Sequence, residues 1–161
     1  MSEIRVGVFG ASGKMGSEVI RAVGRAEGMT AVGGVDLGEP RENVGRAQVV
    51  VDFTHPNAVM ENIEWAVSRG IHMVIGTTGF TPERLDLVRE VLAKHPDVGV
   101  LIASNFSIGA VLMMQFAAKA AAFYPSAEIV ELHHPNKVDA PSGTAATTAR
   151  RIAAVRAEAD L

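Results

Sequence analysis

The chain has 161 residues, of which 48% are hydrophobic and 5% aromatic, and its formal net charge is −3. Because this net charge does not suggest a nucleic acid or a membrane surface as a partner, we expect neither. No cysteine occurs, which excludes disulfides, thiolate catalysis and cysteine-ligated metals and fits a reducing compartment. Since the sequence shows no signal-peptide pattern and no membrane-spanning apolar run, we expect a soluble cytoplasmic protein.

The first segment predicts a strand, a glycine turn and a helix. Ile4–Phe9 is an apolar run, and residues 10–16 follow it with a glycine at every third position. Such glycines permit a tight turn and let a pyrophosphate approach the backbone at a helix N-terminus. The G-x-x-G-x-x-G spacing is a variant of the strict dinucleotide fingerprint, and glycine turns also serve simple packing. Its position directly after the first strand favours dinucleotide binding.

An acidic residue follows the second predicted strand, Met29–Val35. Asp36 stands where a carboxylate accepts hydrogen bonds from the ribose hydroxyls of a bound dinucleotide. An ordinary turn aspartate is the alternative, because a glycine and a proline follow closely. Leu37 occupies the place where an arginine would help to hold a 2′-phosphate. The nearest basic residues are Lys14 and Arg41.

Strands and helices alternate along the next part of the chain. Strands are predicted at 47–53, His72–Ile75 and 98–103, and helices at 57–69, 82–94 and 108–123. This alternation predicts an α/β fold with a doubly wound parallel sheet of Rossmann type, in which ligands bind beyond the carboxyl ends of the strands. The polar or glycine-rich loops expected at that edge are residues 10–16, 36, 54–55, 76–80 and 104–107. Together they predict a cofactor cleft.

Residues 131–144, ELHHPNKVDAPSGT, form the densest group of polar side chains in the sequence. They lie between a strand predicted at 127–132 and a helix predicted at 145–159. A loop between two rigid elements can aim its side chains at a ligand. Two prolines stiffen the loop, because each fixes a backbone angle and removes an N–H donor.

This loop combines cationic groups with an anion-binding turn. His133, His134 and Lys137 supply two imidazoles and an ammonium group. Gly143 and Thr144 place backbone N–H groups at a helix N-terminus, where a carboxylate or phosphate binds well. A single histidine or lysine is more often structural or solvated, but the clustering favours proton transfer to a small anionic substrate.

The other histidines are interpreted as structural. His72 opens a strand, His95 ends a helix, and His55 lies at the expected cleft edge, where a structural role is still favoured. No set of histidine and acidic residues has metal-ligand spacing, so no metal is expected. The nucleophile elbow of a serine hydrolase is absent as well.

With these residues placed, the sequence resembles the bacterial dihydrodipicolinate reductases, also called 4-hydroxy-tetrahydrodipicolinate reductases. The strongest likeness is residues 131–145, which match the active-site signature of that family. Its other marks occur in the same order along the chain, at residues 6–16, 52–54, 76–80 and 105–107. The resemblance extends over essentially the whole sequence.

The resemblance implies an oxidoreductase of diaminopimelate and lysine biosynthesis. NADH or NADPH would transfer a hydride to a cyclic imine dicarboxylate, with loss of water, giving tetrahydrodipicolinate. It implies that the proton-transfer pair is His133 and Lys137, and that the substrate carboxylates are bound by His134, Lys137, Gly143 and Thr144. The cofactor-binding residues that it implies are Gly10, Ala11, Ser12, Gly13, Lys14, Met15, Asp36, Gly76, Thr77, Thr78, Ser104, Asn105, Phe106 and Ser107.

Members of this family are longer, so the chain is expected to be C-terminally truncated. Residues 1–107 would form the dinucleotide-binding domain, and residues 108–161 the start of a smaller α+β substrate domain. By resemblance, the complete protein would be a homo-oligomer, a tetramer. The truncated chain is expected to bind dinucleotide with little or no reductase activity, and to associate through the unpaired edge of a strand at 127–132.

Three alternatives stay open from the sequence. Another NAD(P)-dependent dehydrogenase would share the glycine turn but not the His-His-x-x-Lys loop. A non-catalytic dinucleotide-binding module would bind cofactor without turnover. A purely structural protein would have no use for the loops at the cleft edge. Oxidation of NADH with and without the cyclic imine distinguishes among them.

Overall fold

The computed structural model describes residues 3–103, 105–133, 135 and 140–159. The chain divides into two compact units, Met1–Ala103 and Ser104–Leu161, at a point close to the predicted 107/108 boundary. No helix in these described ranges is long and apolar enough to cross a membrane.

The described part of the first unit, residues 3–103, contains five strands and three α-helices. The strands are β1 (Ile4–Phe9), β2 (Met29–Val35), β3 (Val49–Asp52), β4 (His72–Ile75) and β5 (Val100–Ile102). The helices are α1 (Lys14–Val23), α2 (Val59–Val67) and α3 (Pro82–Ala93), and a short 3₁₀ helix covers Arg41–Val44. All strands are parallel, in the order β2-β1-β3-β4-β5. The predicted parallel α/β sheet is confirmed.

The strand order determines where a ligand can bind. From β1 the chain passes to β2 on one side, and from β2 it returns to β3 on the other side of β1. Parallel sheets open a crevice at such a switch point, beyond the carboxyl ends of the strands. The loops after β1, β2 and β3 therefore converge on one crevice.

An aliphatic core supports this sheet. Val8, Val50 and Ile75 on the central strands are fully buried, as is Ile63 of α2 at 1% exposure. Burying a side chain of this size stabilises the fold by about 1.5–3 kcal/mol. The Phe9 and Trp65 rings also meet edge to face, with centroids 5.8 Å apart. These contacts hold the carboxyl ends of β1 and β3 in place, and with them the loops that follow.

Among its described residues, the second unit has two packed helices, α4 (Ile108–Ala121) and α5 (Gly143–Glu158). Arg156 of α5 donates to one carbonyl group that α4 leaves open at its C-terminus and to two carbonyl groups of the segment that follows. Its Nη1 donates to Tyr124 O (2.5 Å) and Ala121 O (3.3 Å), and its Nη2 donates to Pro125 O (2.8 Å). One side chain therefore joins α5 to the end of α4 and to the segment that follows.

The prediction of a strand at residues 127–132 is wrong. These residues are described and have no regular secondary structure. The side chains of Val130 and Leu132 are 84% and 92% exposed. A strand needs a hydrogen-bonded neighbour, and the described residues of this unit form no other strand. Because that strand is absent, we no longer expect copies of the chain to associate through its edge.

Candidate dinucleotide and substrate sites

The glycine turn lies at the carboxyl edge of the sheet. Gly10 has a φ of 76°, and a Cβ there would lie 2.5 Å from Phe53 O, so only glycine fits. Gly10 N–H donates to Val35 O at 2.8 Å, which joins the turn to the end of β2. Gly13 precedes the first residue of α1, Lys14. The turn thus presents backbone at a helix N-terminus, as a pyrophosphate site requires.

Two predicted cofactor residues, Ser12 and Asp36, are in direct contact. Ser12 N–H lies 3.2 and 3.0 Å from the two carboxylate oxygens of Asp36, and Ser12 Oγ donates to Oδ2 at 2.5 Å. The Asp36 N–H donates in turn to Glu39 Oε2 at 2.8 Å. The carboxylate is therefore held against the glycine turn, where ribose hydroxyls can compete with Ser12 for its lone pairs.

A cavity of about 440 Å³ opens between the ends of β1, β2 and β3 and the start of α2. This volume is in the usual range for small-molecule sites. Its lining is mostly apolar with a few polar groups, and consists of Phe9, Gly10, Val35, Asp36, Leu37, Gly38, Glu39, Arg41, Phe53, Thr54, His55, Ala58 and Asn62. The predicted residues Gly10 and Asp36 are brought together here, beside the predicted loop 54–55.

Of the two basic residues considered for a 2′-phosphate, Arg41 lines this cavity. Its Nε donates to Asn62 Oδ1 at 2.8 Å, and its Nη2 donates to Glu61 Oε2 at 3.1 Å. The Glu61 carboxylate reduces the positive charge that Arg41 offers to a ligand. Lys14 is exposed at the start of α1.

The histidines of this unit differ in their surroundings. His55 lines the cavity, and its Nδ1 accepts from Asn57 N–H at 3.2 Å. His72 Nδ1 accepts from Gly99 N–H at 2.9 Å, a bond that ties the start of β4 to the segment before β5. His72 is therefore structural, whereas His55 is within reach of any ligand in the cavity.

A buried carboxylate joins the loops around the cavity. In the sequence Asp52 was noted only within the family mark at 52–54, with no role assigned to it. Asp52 is fully buried, and its Oδ1 accepts from Thr54 N (2.9 Å), Thr54 Oγ1 (2.8 Å) and Thr77 Oγ1 (2.6 Å). Its Oδ2 accepts from Asn62 Nδ2 at 2.8 Å. The sequence contains one signal for this buried hydrogen-bond network: Asn62 is a polar residue on the face of α2 that otherwise carries buried apolar side chains.

The loops after β3 and β4 are held together at a second point. Arg84 Nη1 donates to Pro56 O at 2.8 Å and to Gly79 O at 3.1 Å. A Cβ on Gly76 would lie 2.0 Å from the Phe53 ring, so the two loops are in close packing contact. Of the predicted cofactor residues in this stretch, Thr77 has its side chain buried against Asp52, whereas Thr78 is exposed.

In the second unit, part of the predicted substrate site is described. Glu131 Oε1 accepts from Ser142 N–H at 2.8 Å, and its Oε2 lies 3.7 Å from His133 Nδ1. Ser142 Oγ accepts from Ala145 N–H at 3.1 Å and caps α5. One carboxylate therefore connects the predicted proton-transfer histidine to the N-terminus of the helix. The predicted site residues Ser104, His134 and Lys137 lie outside the described residues.

Two residues predicted for different ligands meet in this unit. Asn105 is predicted to line the nicotinamide side, and Thr144 is predicted to bind the substrate. Asn105 Nδ2 donates to Thr144 Oγ1 at 2.8 Å. Asn105 Oδ1 accepts from Ser107 N–H at 2.7 Å, and the Ser107 hydroxyl accepts from Ala110 N–H to cap α4. The N-termini of both helices are thus joined through one amide side chain.

Comparison with known proteins identifies the family. The model for dihydrodipicolinate reductase, N-terminus, matches residues 4–106, and the model for dihydrodipicolinate reductase, C-terminus, matches residues 109–160. The chain belongs to the dihydrodipicolinate reductase family. The resemblance stated from the sequence motifs is confirmed.

Among dihydrodipicolinate reductases, two curated relatives are 61% identical over 158 residues: the 4-hydroxy-tetrahydrodipicolinate reductases of Cutibacterium acnes and Thermobifida fusca. The match covers 98% of this chain and 64% of each relative, so the chain spans less than two thirds of their length. A solved structure, the dipicolinate-bound dihydrodipicolinate reductase of Paenisporosarcina sp. TG-14, has a TM-score of 0.76 at 38% identity. That match covers 96% of this chain and 67% of the other.

Proposed function

We propose that this chain carries the dinucleotide site and the proton-transfer residues of a 4-hydroxy-tetrahydrodipicolinate reductase. NADH or NADPH would transfer a hydride to a cyclic imine dicarboxylate with loss of water, giving tetrahydrodipicolinate. The observation that carries the proposal is the glycine turn, tied to Asp36 beside a cavity at the switch point of the sheet. The relatives named for this activity share 61% of the matched residues.

On the basis of this geometry, we assign separate groups of residues to the pyrophosphate, the adenosine ribose and the nicotinamide of the dinucleotide. The backbone of residues 10–15, at the N-terminus of α1, would bind the pyrophosphate through N–H groups that have no intrahelical acceptor. Asp36 would accept from the adenosine ribose. Residues 76–78 and 104–107 would line the nicotinamide side. A bound pyridine nucleotide would supply the hydride, and this chain would orient it.

The proposed proton transfer uses the 131–144 loop. After hydride attack, the substrate carries a carbanion-like centre that needs an acid, and an ammonium or imidazolium group can supply one. We assign this step to His133 and Lys137. The substrate carboxylates would bind His134, Lys137, Gly143 and Thr144, the last two being the first residues of α5. Glu131, 3.7 Å from His133, would orient that imidazole.

A dinucleotide-binding module without turnover is the second candidate. The first unit contains the five-stranded sheet, its own core and the cavity, so the pyrophosphate and adenosine parts of the proposed site lie within it, and only residues 104–107 of the second unit are assigned to the dinucleotide. The two candidates share the cofactor site and differ in chemistry. Turnover is therefore the measurement that separates them.

Two assays test the proposal. NADH is titrated into the 161-residue chain by calorimetry, and its oxidation is followed with and without the cyclic imine. The rate assay is repeated on a chimera completed with the part of the Cutibacterium acnes relative that the match leaves uncovered. We expect saturable NADH binding by both proteins and imine-dependent oxidation by the chimera. Binding without oxidation in the chimera would support the non-catalytic module.

Cofactor choice follows from the charges around Asp36. A carboxylate repels a 2′-phosphate and accepts from a 2′-hydroxyl, and Arg41 is already paired with Glu61. We therefore expect NADH to bind at least as tightly as NADPH. Asp36→Asn should move the ratio of the two dissociation constants towards NADPH by about tenfold. An unmodified chain that preferred NADPH by more than about tenfold would contradict this assignment.

A further inference from the structure

Arg41, Asn62 and Asp52 form a chain of hydrogen bonds. The residues at its two ends determine which atoms of the middle residue donate and which accept. The Arg41 guanidinium can only donate, so the Asn62 amide must present its oxygen to Arg41 Nε. The amide nitrogen therefore faces Asp52, whose carboxylate oxygens accept from Asn62 and from the two threonines. Each member has one orientation that satisfies all its neighbours.

The same logic holds on the other side of Asp52. Thr77 Oγ1 accepts from Thr54 N–H at 2.9 Å, so its own proton is directed to Asp52 Oδ1 at 2.6 Å. Thr54 Oγ1 donates to the same carboxylate oxygen at 2.8 Å. One buried anion therefore orders the segment after β3 and the segment after β4 together.

Three of the groups tied to this anion belong to the cleft. Thr54 and Asn62 line the cavity, as does Arg41, which Asn62 holds. Thr77 lies in the loop assigned to the nicotinamide side. Asp52 itself is fully buried and is not part of the cavity wall. Its position lets it order both halves of the cleft without touching a ligand.

We infer that Asp52 is a positioning residue for the dinucleotide, acting through Asn62 and Arg41 on the adenosine half and through Thr77 on the nicotinamide half. This inference rests on the proposed function, since that function assigns the two halves. A purely structural role would lower the thermal stability when Asp52 is changed and leave the ligand affinity of the folded protein unaltered. The two roles are therefore separable.

The sharpest test exchanges the amide and the carboxylate. Asp52→Asn places an amide N–H against the amide N–H of Asn62, and Asn62→Asp places two buried carboxylates face to face. The double variant Asp52→Asn/Asn62→Asp restores the main pairings: the new carboxylate accepts from Arg41 and from the new amide, whose oxygen accepts from the threonines. Only the long bond from Asn62 Nδ2 to Thr54 Oγ1, at 3.4 Å, is lost. We expect each single variant to bind NADH about tenfold or more weakly, and the double variant to return to within about threefold of the unmodified chain.

Variants of Thr77 act chiefly on the nicotinamide half and disturb folding less, since Thr54 N–H, the cavity group that Thr77 contacts, also donates to Asp52 Oδ1. Thr77→Val removes the hydroxyl at nearly constant shape, and Thr77→Ser keeps it. By calorimetry, Thr77→Val should weaken NADH about tenfold and leave ADP-ribose, which lacks the nicotinamide, within about twofold. Thr77→Ser should behave like the unmodified chain. Ile63→Val, a core change next to Asn62, is the control that lowers the melting temperature and leaves the affinity ratio of NADH to ADP-ribose unchanged.

The outcomes are distinguishable. The inference is overturned if Asp52→Asn binds both ligands like the unmodified chain, if the double variant is no tighter than the weaker single variant, or if Thr77→Val leaves the NADH to ADP-ribose ratio unchanged. Binding of neither ligand by the unmodified chain overturns the proposed function itself, and this inference with it. Restoration by the double variant supports the positioning role.

Discussion

Lys137→Ala is expected to lower turnover about 10²- to 10⁴-fold, the range lost when a general acid is removed. A dianionic substrate favours the charged ammonium group, which can then supply the proton. The affinity for NADH should barely change, because the lysine is assigned to the substrate. The measurement is steady-state kinetics on the chimera completed from the Cutibacterium acnes relative, together with NADH titration of the same variant.

Two comparisons separate proton donation from charge. Lys137→Arg keeps the positive charge but cannot release its proton, so kcat should stay low while KM recovers towards the original value. His133→Ala should lower kcat more mildly than Lys137→Ala. Lys94→Ala, at the C-terminus of α3, removes an exposed lysine elsewhere and should leave both constants unchanged. Near-normal rates from both the Lys137→Ala and His133→Ala variants would mean that the proton comes from another group.

Gly16→Ala is expected to weaken dinucleotide binding about a hundredfold. A Cβ on Gly16 would lie 2.0 Å from Gly10 O and 2.9 Å from Ala11 Cα, and backbone atoms cannot rotate away as a side chain can. The turn must move, and it would lose N–H groups aimed at the pyrophosphate, each hydrogen bond to a charged group contributing about 1.5–3 kcal/mol. Calorimetric titration with NADH and with ADP-ribose measures the effect.

The chain offers a matched control at the other end of α1. Gly24 has a φ of −66°, and a Cβ there meets its nearest atom, Ile20 O, at 3.4 Å. Gly24→Ala makes the same chemical change without a clash and at the far end of α1, so it should leave dinucleotide affinity within about twofold. It also lowers the entropy of the unfolded chain, which favours the folded state. If Gly16→Ala bound NADH as tightly as Gly24→Ala, the glycine turn would not be the pyrophosphate site.

The fold could be predicted because its signals are local. An apolar β-branched run, a glycine turn and a helical period predict β1 and α1 without knowledge of any distant residue. The predicted bounds of β1, β2 and β4 agree with the structure, whereas β3 and β5 are shorter than predicted. Strand ends depend on which neighbour supplies the last hydrogen bond, and the sequence does not show that neighbour.

The wrong prediction of a strand at 127–132 has the same cause, since the sequence does not show whether a pairing partner is present. The short run of mainly apolar residues in this segment is compatible with a strand, but such a run states only a preference. A strand exists only where a partner pairs with it, and the described residues of that unit offer none. The start of the adjacent helix was predicted two residues late, because the cap at Ser142 is defined by its bond to Ala145 N–H.

The sequence by itself determined the parallel α/β sheet, the glycine turn, the acidic residue after β2 and the family, because each is written in residue types at short spacing. Only the tertiary structure decided that Asp36 meets Ser12 and that Asp52 is buried among donors from three segments. Asp52 and Thr77 are 25 positions apart in the chain. A hydrogen bond between such residues leaves no periodic trace in a sequence, since its geometry arises only when the sheet has brought two strand ends side by side.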